Sequence, residues 1–181
     1  MYAIASILDP KTDQDIRRLW EDFEVNCGLT GIKMTPIPHF SWQGADAYQL
    51  EPVEEILEEL ASNMSPFRVH AAGLGVFTGE QPVIYVPIVK NQGLFEIHRA
   101  LWEAARPFAV VPNLHYDPDR WMPHITLAYR ERDPARLGCA FATMISQRLE
   151  LEIKVDHFAI LYQTDGKAGL RNRFAFRGTE P

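Results

Sequence analysis

The order of secondary-structure signals along the 181 residues is the feature that most restricts this chain. Strand and helix patterns follow one another as strand, helix, strand, helix, two strands, helix, strand, helix, two strands. That order reads as two similar blocks, each close to strand-helix-strand-helix-strand-strand. The halves share this pattern but not their sequences. The expectation is a duplicated α+β chain with mostly antiparallel sheet, in a single two-lobed domain over residues 1–181.

The stretches behind that order are specific. "MYAIASIL" is a short apolar strand stopped by Asp9-Pro10, and "DQDIRRLWEDFEVNCGL" is a helix with Ile16, Leu19, Trp20 and Phe23 on one face and Gly28 as its stop. "IPHFSWQG" is a strand. "EPVEEILEELASNM" is a helix with proline in its first turn and acids placed early, where the helix dipole favours them. "FRVHAAGLGVF" and "PVIYVPIV" are strands joined by the turn "TGEQ". "GLFEIHRALWEAA" is an amphipathic helix with Leu94, Ile97, Leu101 and Trp102 on its apolar stripe. "MPHITLAY" is a strand, and "DPARLGCAFATMISQ" is a helix capped by Asp133 with Pro134 at its first position. "LELEIKVDHFAILYQ" reads as one long strand region, "TDGKAG" as a turn and "RNRFAFRG" as the last strand.

Two of these strands carry the same five-residue pattern. Pro38-His39-Phe40-Ser41-Trp42 and Pro123-His124-Ile125-Thr126-Leu127 both spell proline, histidine, apolar, hydroxyl, apolar. Residues i and i+2 of a strand share a face. Each histidine therefore stands beside its hydroxyl, while Phe40, Trp42, Ile125 and Leu127 turn to the other face. Two copies among six histidines, one per block, make accident a poor explanation. Counting by twos also puts Arg130 on the face of His124 and Thr126, within reach of a phosphate.

Two imidazoles near neutral pH can act as a general base and a general acid on either side of a reacting centre. The Ser41 and Thr126 hydroxyls can donate to an anion held between them. A phosphate diester fits that arrangement. Neither motif carries a carboxylate, so nothing in the pattern calls for a metal or any other cofactor.

Paired H-x-[S/T]-x motifs in the two halves of a chain of this size resemble the two-histidine (2H) phosphoesterase superfamily. That superfamily includes the RNA 2',3'-cyclic phosphodiesterases also known as 2'-5' RNA ligases. "PHITLAYR" is especially similar to the family's second motif. The resemblance implies a bilobal fold with two antiparallel sheets facing a central cleft and helices outside. It implies that His39, Ser41, His124 and Thr126 converge in that cleft. It further implies metal-independent cleavage of 2',3'-cyclic phosphates or 2'-5' linkages, with ligation as the reverse reaction. Trp42 is bulkier than the family's usual aliphatic residue, and Ser41 stands where threonine is commoner.

The expected ligand is an RNA end or a small nucleotide. The net charge of −6 disfavours general binding of long nucleic acid, which rests on Lys and Arg neutralising phosphates. Two rival readings remain: a nucleotide- or phosphate-binding module without turnover, and a purely structural role for each histidine-hydroxyl pair. His98 on its helix stripe and His70 and His157 in strands read as structural, and His115 reads as an exposed residue of a loop that could border the cleft, where it or Tyr116 could stack on a base. Cys27 and Cys139 read as two reduced thiols. No membrane span or secretory leader is apparent, so a cytoplasmic monomer is expected.

Overall fold

A computed structural model describes residues 1–34, 36–164 and 166–178. β1 (Tyr2–Ile7) leads into α1 (Pro10–Cys27). This helix begins earlier than its periodicity suggests, because Asp9 accepts hydrogen bonds from the backbone of Lys11 and Thr12 and Pro10 occupies the first turn. Gly28 ends it at φ 69, as expected. There follow β2 (His39–Tyr48), α2 (Leu50–Ser62), β3 (Phe67–Ala72), β4 (Gly75–Phe77), β5 (Val83–Pro87), α3 (Gln92–Ala105), β6 (Ala109–Pro112), β7 (His124–Tyr129), α4 (Pro134–Ile145), β8 (Glu150–Val155), β9 (His157–Thr164) and β10 (Lys167–Ala175). β6 carries no alternation and had no counterpart in the sequence pattern. The turn read at "TDGKAG" includes Asp165, which lies outside the described residues.

The α+β, antiparallel architecture is the expected one. One sheet runs β10-β9-β1-β2-β7-β5-β4, with β6 paired to β2, and β3 and β8 form a second sheet. An isolated bridge, Ala71↔Ile88, links β3 to the end of β5. β3 and β4 thus follow each other along β5, interrupted by Gly73 at φ 78. The region read as one long strand is two, β8 and β9. They separate at Asp156 and pair in different sheets. At the break, the Asp156 carboxylate accepts from Arg173 at 3.1 Å and lies 2.7 Å from His157 Nδ1.

The core is built as the periodicity requires. Ile16, Trp20 and Phe23 of α1 are buried, as are Val53 and Leu57 of α2 and Leu94 and Leu101 of α3. Phe40, Trp42, Ile125 and Leu127, the apolar members of the two motifs, are at most 1% exposed. Among the described residues no helix is long and apolar enough to cross a membrane.

The cysteines correct the sequence reading. Cys27, at the end of α1, and Cys139, within α4, form a disulfide with a Cα–Cα separation of 5.6 Å. They are 112 residues apart, one in each half of the chain, so spacing gave no hint of the pair. Packing of α1 on α4 brings them together. The bond also sits uneasily with a cytoplasmic location, since reducing compartments keep most thiols free.

Closing a loop this long constrains the unfolded chain substantially. Cys27→Ala/Cys139→Ala should lower the unfolding free energy by about 2–4 kcal/mol in urea titrations. An unchanged midpoint and slope would show that the bond contributes nothing.

Candidate active site

β2 and β7 lie side by side but pair at a single position, Phe40↔Ile125. These two residues point into the core, so their neighbours His39, Ser41, His124 and Thr126 all face the other way. All four line one cleft of about 1010 Å³. The expected convergence of the two motifs is therefore what the fold produces.

Each motif is held by the same set of devices. The carbonyl of Pro38 accepts from Leu8 N–H at 3.1 Å, and that of Pro123 from Ile88 N–H at 2.9 Å. Past the hydroxyl, each strand has a β-bulge. The register of β1 on β2 shifts at Trp42, and that of β5 on β7 shifts at Leu127. A bulge disrupts the ladder, and an indole N–H takes up a carbonyl at each. Trp121 Nε1 donates to Ser41 O at 3.0 Å, and Trp20 Nε1 donates to Thr126 O at 3.1 Å. Neither tryptophan was singled out for this role from sequence. The fixed order of strand residues gave no sign of it.

The two imidazoles are anchored alike. His39 Nδ1 lies 2.6 Å from Ile37 O, and His124 Nδ1 lies 2.7 Å from Met122 O. A carbonyl only accepts, so each Nδ1 carries the proton and donates it. Nε2 is then the nitrogen left to exchange protons with a ligand. Burial holds the His39 pKa below the ordinary imidazole value against the bond to Ile37, and charge on His124 lowers it further. Burial does the same to His124 against its bond to Met122. Around His124, Phe77 stands edge-on with ring centres 5.0 Å apart, and Tyr85 is tilted at 5.1 Å. Gly75 makes room for Tyr85, since a Cβ there would fall 2.4 Å from its Cζ.

Arg130 does not join them. The bulge at Leu127 reverses the alternation of β7, so Tyr129 lines the cleft in place of a residue two further on. Arg130 follows the strand at φ 58, exposed, with its guanidinium 5.1 Å from the ring centre of Tyr129. Among the described residues, the arginine lining the cleft is Arg120. His115 and Tyr116 both line the cleft, as do Tyr2 and Tyr162. His98 is fully buried, its Nε2 3.0 Å from Trp42 O and its ring stacked 3.7 Å from Trp121. His157 is buried against Asp156, and His70 is exposed on β3. Among the described residues no group of three His, Cys, Asp or Glu side chains is placed to hold a metal.

The site and fold together define the two-histidine class. The family model for the 2'-5' RNA ligase superfamily matches residues 12–167, and the chain belongs to that superfamily. It is 26% identical over 137 residues to a Bacillus cytotoxicus protein named "Putative phosphoesterase", covering 72% of this chain and 73% of that one. TT0787 of Thermus thermophilus shares the fold, with a TM-score of 0.67 and 19% identity over 99% of both chains. So does E. coli LigT, crystallised with 3'-AMP, with a TM-score of 0.56 and 16% identity over 97% of this chain and 96% of that one.

The buried histidines make stability depend on pH. Burial lowers the His98 pKa from 6.5 to about 4, and the His39, His124 and His157 values also fall. The unfolded chain takes these protons first, so stability is full above about pH 6.5 and falls as the pH drops toward 4. His98 alone should account for about 3 kcal/mol of that fall. Urea unfolding at pH 7 and pH 4.5 measures it, and equal stabilities would contradict neutral burial of these rings.

Proposed function

We propose that the protein is a metal-independent phosphodiesterase that opens 2',3'-cyclic phosphates, at an RNA end or on a small nucleotide, by two-histidine acid-base catalysis. The observation that carries this reading is the matched pair of imidazoles. Both are fixed through Nδ1, both keep Nε2 for the ligand, and both stand beside a hydroxyl in one cleft.

One neutral imidazole takes a proton from water through Nε2. The water oxygen attacks phosphorus, and the bond from phosphorus to the 2' or 3' oxygen breaks. The other imidazole, protonated, gives its Nε2 proton to that leaving oxygen. Ser41 and Thr126 donate to the phosphoryl oxygens as negative charge builds there. With an RNA 5'-hydroxyl in place of water as the attacking group and the bond from phosphorus to the 3' oxygen breaking, the same steps leave a 2'-5' linkage, which is the ligation direction.

Small substrates suit the cleft better than long RNA. Among the described residues lining it, Arg120 is the one arginine or lysine, and Asp46 lines it too. Such a lining offers little to a run of phosphates.

The test is hydrolysis of the four nucleoside 2',3'-cyclic monophosphates in excess EDTA. The wild type should turn over, and His39→Ala and His124→Ala should each lose about 10²- to 10⁴-fold in rate while remaining folded. Binding without turnover by a folded wild type would point instead to a nucleotide-binding module. Unfolded alanine variants would point to a structural role for the pair.

A further inference from the structure

The two ends of the cleft differ. Along the strands, His39 and Thr126 lie to one side of the Phe40↔Ile125 pair, and Ser41 and His124 to the other. Beyond His39 and Thr126 the cleft is lined by Trp20, Ile32, Ile37 and Tyr129. Beyond Ser41 and His124 it runs along β2 past Gly44 and under the segment 113–122. Asn113 N–H donates there to Gly44 O at 2.8 Å, and Trp121 Nε1 to Ser41 O at 3.0 Å. The lining at this second end includes Asp46, Asn113, His115 and Arg120.

Arg120 faces the cleft because of the chain that leads to His124. Trp121, Pro123, Ile125 and Leu127 are buried, whereas Arg120, Met122, His124 and Thr126 are exposed or half-buried. This is a strand's alternation, so Arg120 shares a face with the two site residues. Four residues before His124, it starts about 13 Å back along an extended chain. The segment that carries it is fixed. The N–H groups of Arg120 and Trp121 both donate to Asp117 O at 2.8 Å, Lys90 Nζ donates to Trp121 O at 3.2 Å, and the Trp121 ring stacks on His98. Arg171 and Arg177 are paired with Glu54 and Glu58. The Arg120 guanidinium has no ion pair or hydrogen bond with any described residue.

We propose that Arg120 is a specificity-determining residue: it binds a phosphoryl group on the 5' side of the nucleotide whose 2',3'-cyclic phosphate lies between the imidazoles. The inference rests on the phosphodiesterase reading above. In such a nucleotide the base and the 5' carbon leave the ribose at opposite ends of the 2',3' edge. A cleft with an apolar end and a cationic end takes one at each. The guanidinium can meet two phosphoryl oxygens at once. Asp46 at the same end repels further phosphates, so the site takes one. A terminal 5'-phosphate and the internucleotide phosphate of an RNA 3' end share this chemistry, and a bare nucleoside 2',3'-cyclic phosphate lacks it.

The experiment measures kcat and KM for wild type, Arg120→Gln and Arg120→Lys on three probes. These are adenosine 2',3'-cyclic phosphate, its 5'-phosphorylated form, and a dinucleotide ending in adenosine 2',3'-cyclic phosphate. A 5'-phosphoryl group should lower the wild-type KM about tenfold with little change in kcat, because a remote contact binds ground and transition state alike. Arg120→Gln should remove that advantage, losing about tenfold in kcat/KM on the phosphorylated probes and far less on the bare nucleoside. Arg120→Lys should keep part of it, as a charge without the planar fork. Salt should weaken it. An advantage on either probe that Arg120→Gln removes supports the inference, and the probe that shows it tells a terminal phosphate from an internucleotide one. No wild-type advantage on either, or an equal loss by Arg120→Gln on all three, overturns it.

If the wild type turns over none of the three, the phosphodiesterase reading falls on its own. Calorimetric binding of adenosine 3'-monophosphate and adenosine 3',5'-bisphosphate then decides this one. About tenfold tighter binding of the bisphosphate, lost in Arg120→Gln, supports it. Equal affinities, or no binding by the wild type, overturn it.

Discussion

The site depends on how β2 and β7 meet. β2 and β7 pair at Phe40↔Ile125 alone. Both residues are essentially inaccessible to solvent, and the packing of their side chains sets which face of each strand meets the cleft. A shift of one residue in either strand would turn a histidine into the core and a phenylalanine or isoleucine toward the ligand. The prolines before the histidines and the bulges after the hydroxyls bound the short regular segment on both strands. Within it, the candidate groups come from strands and not from loops, which favours precise placement.

The halves resemble each other most closely around the two histidine-hydroxyl pairs. Proline carbonyl, Nδ1-anchored imidazole, hydroxyl, bulge and indole-bonded carbonyl recur in the same order on β2 and β7. Their surroundings then differ. Phe77 and Tyr85 enclose His124, whereas the Tyr116 segment covers β2 beyond Ser41. A near-symmetric pair of imidazoles in unlike settings is suited to a reaction in which one ring must take a proton while the other gives one.

Much of this was legible in the sequence because strand alternation is local. The pattern of Phe40, Trp42, Ile125 and Leu127 against His39, Ser41, His124 and Thr126 follows from a period of two, and four helices follow from their stripes and caps. The misses share a different cause. Counting by twos carries Arg130 into the cleft only by passing through a bulge that no residue type announces. The Cys27–Cys139 bond, the Trp20 and Trp121 hydrogen bonds and the packing of Tyr116 over Gly44 join residues far apart in sequence, and only tertiary packing brings them together. The division of "LELEIKVDHFAILYQ" into β8 and β9 likewise reflects pairing with different partners, which one strand's own residues do not specify.

The central claim is that His39 and His124 exchange protons with a substrate through Nε2, one starting neutral and the other protonated. The pH dependence of kcat/KM on a nucleoside 2',3'-cyclic monophosphate tests it most directly, because it reports the essential acid and base of the free enzyme. The account predicts a bell, with its acid limb below the ordinary imidazole range because burial depresses both rings. A rate that is flat from pH 5 to pH 8 would contradict it.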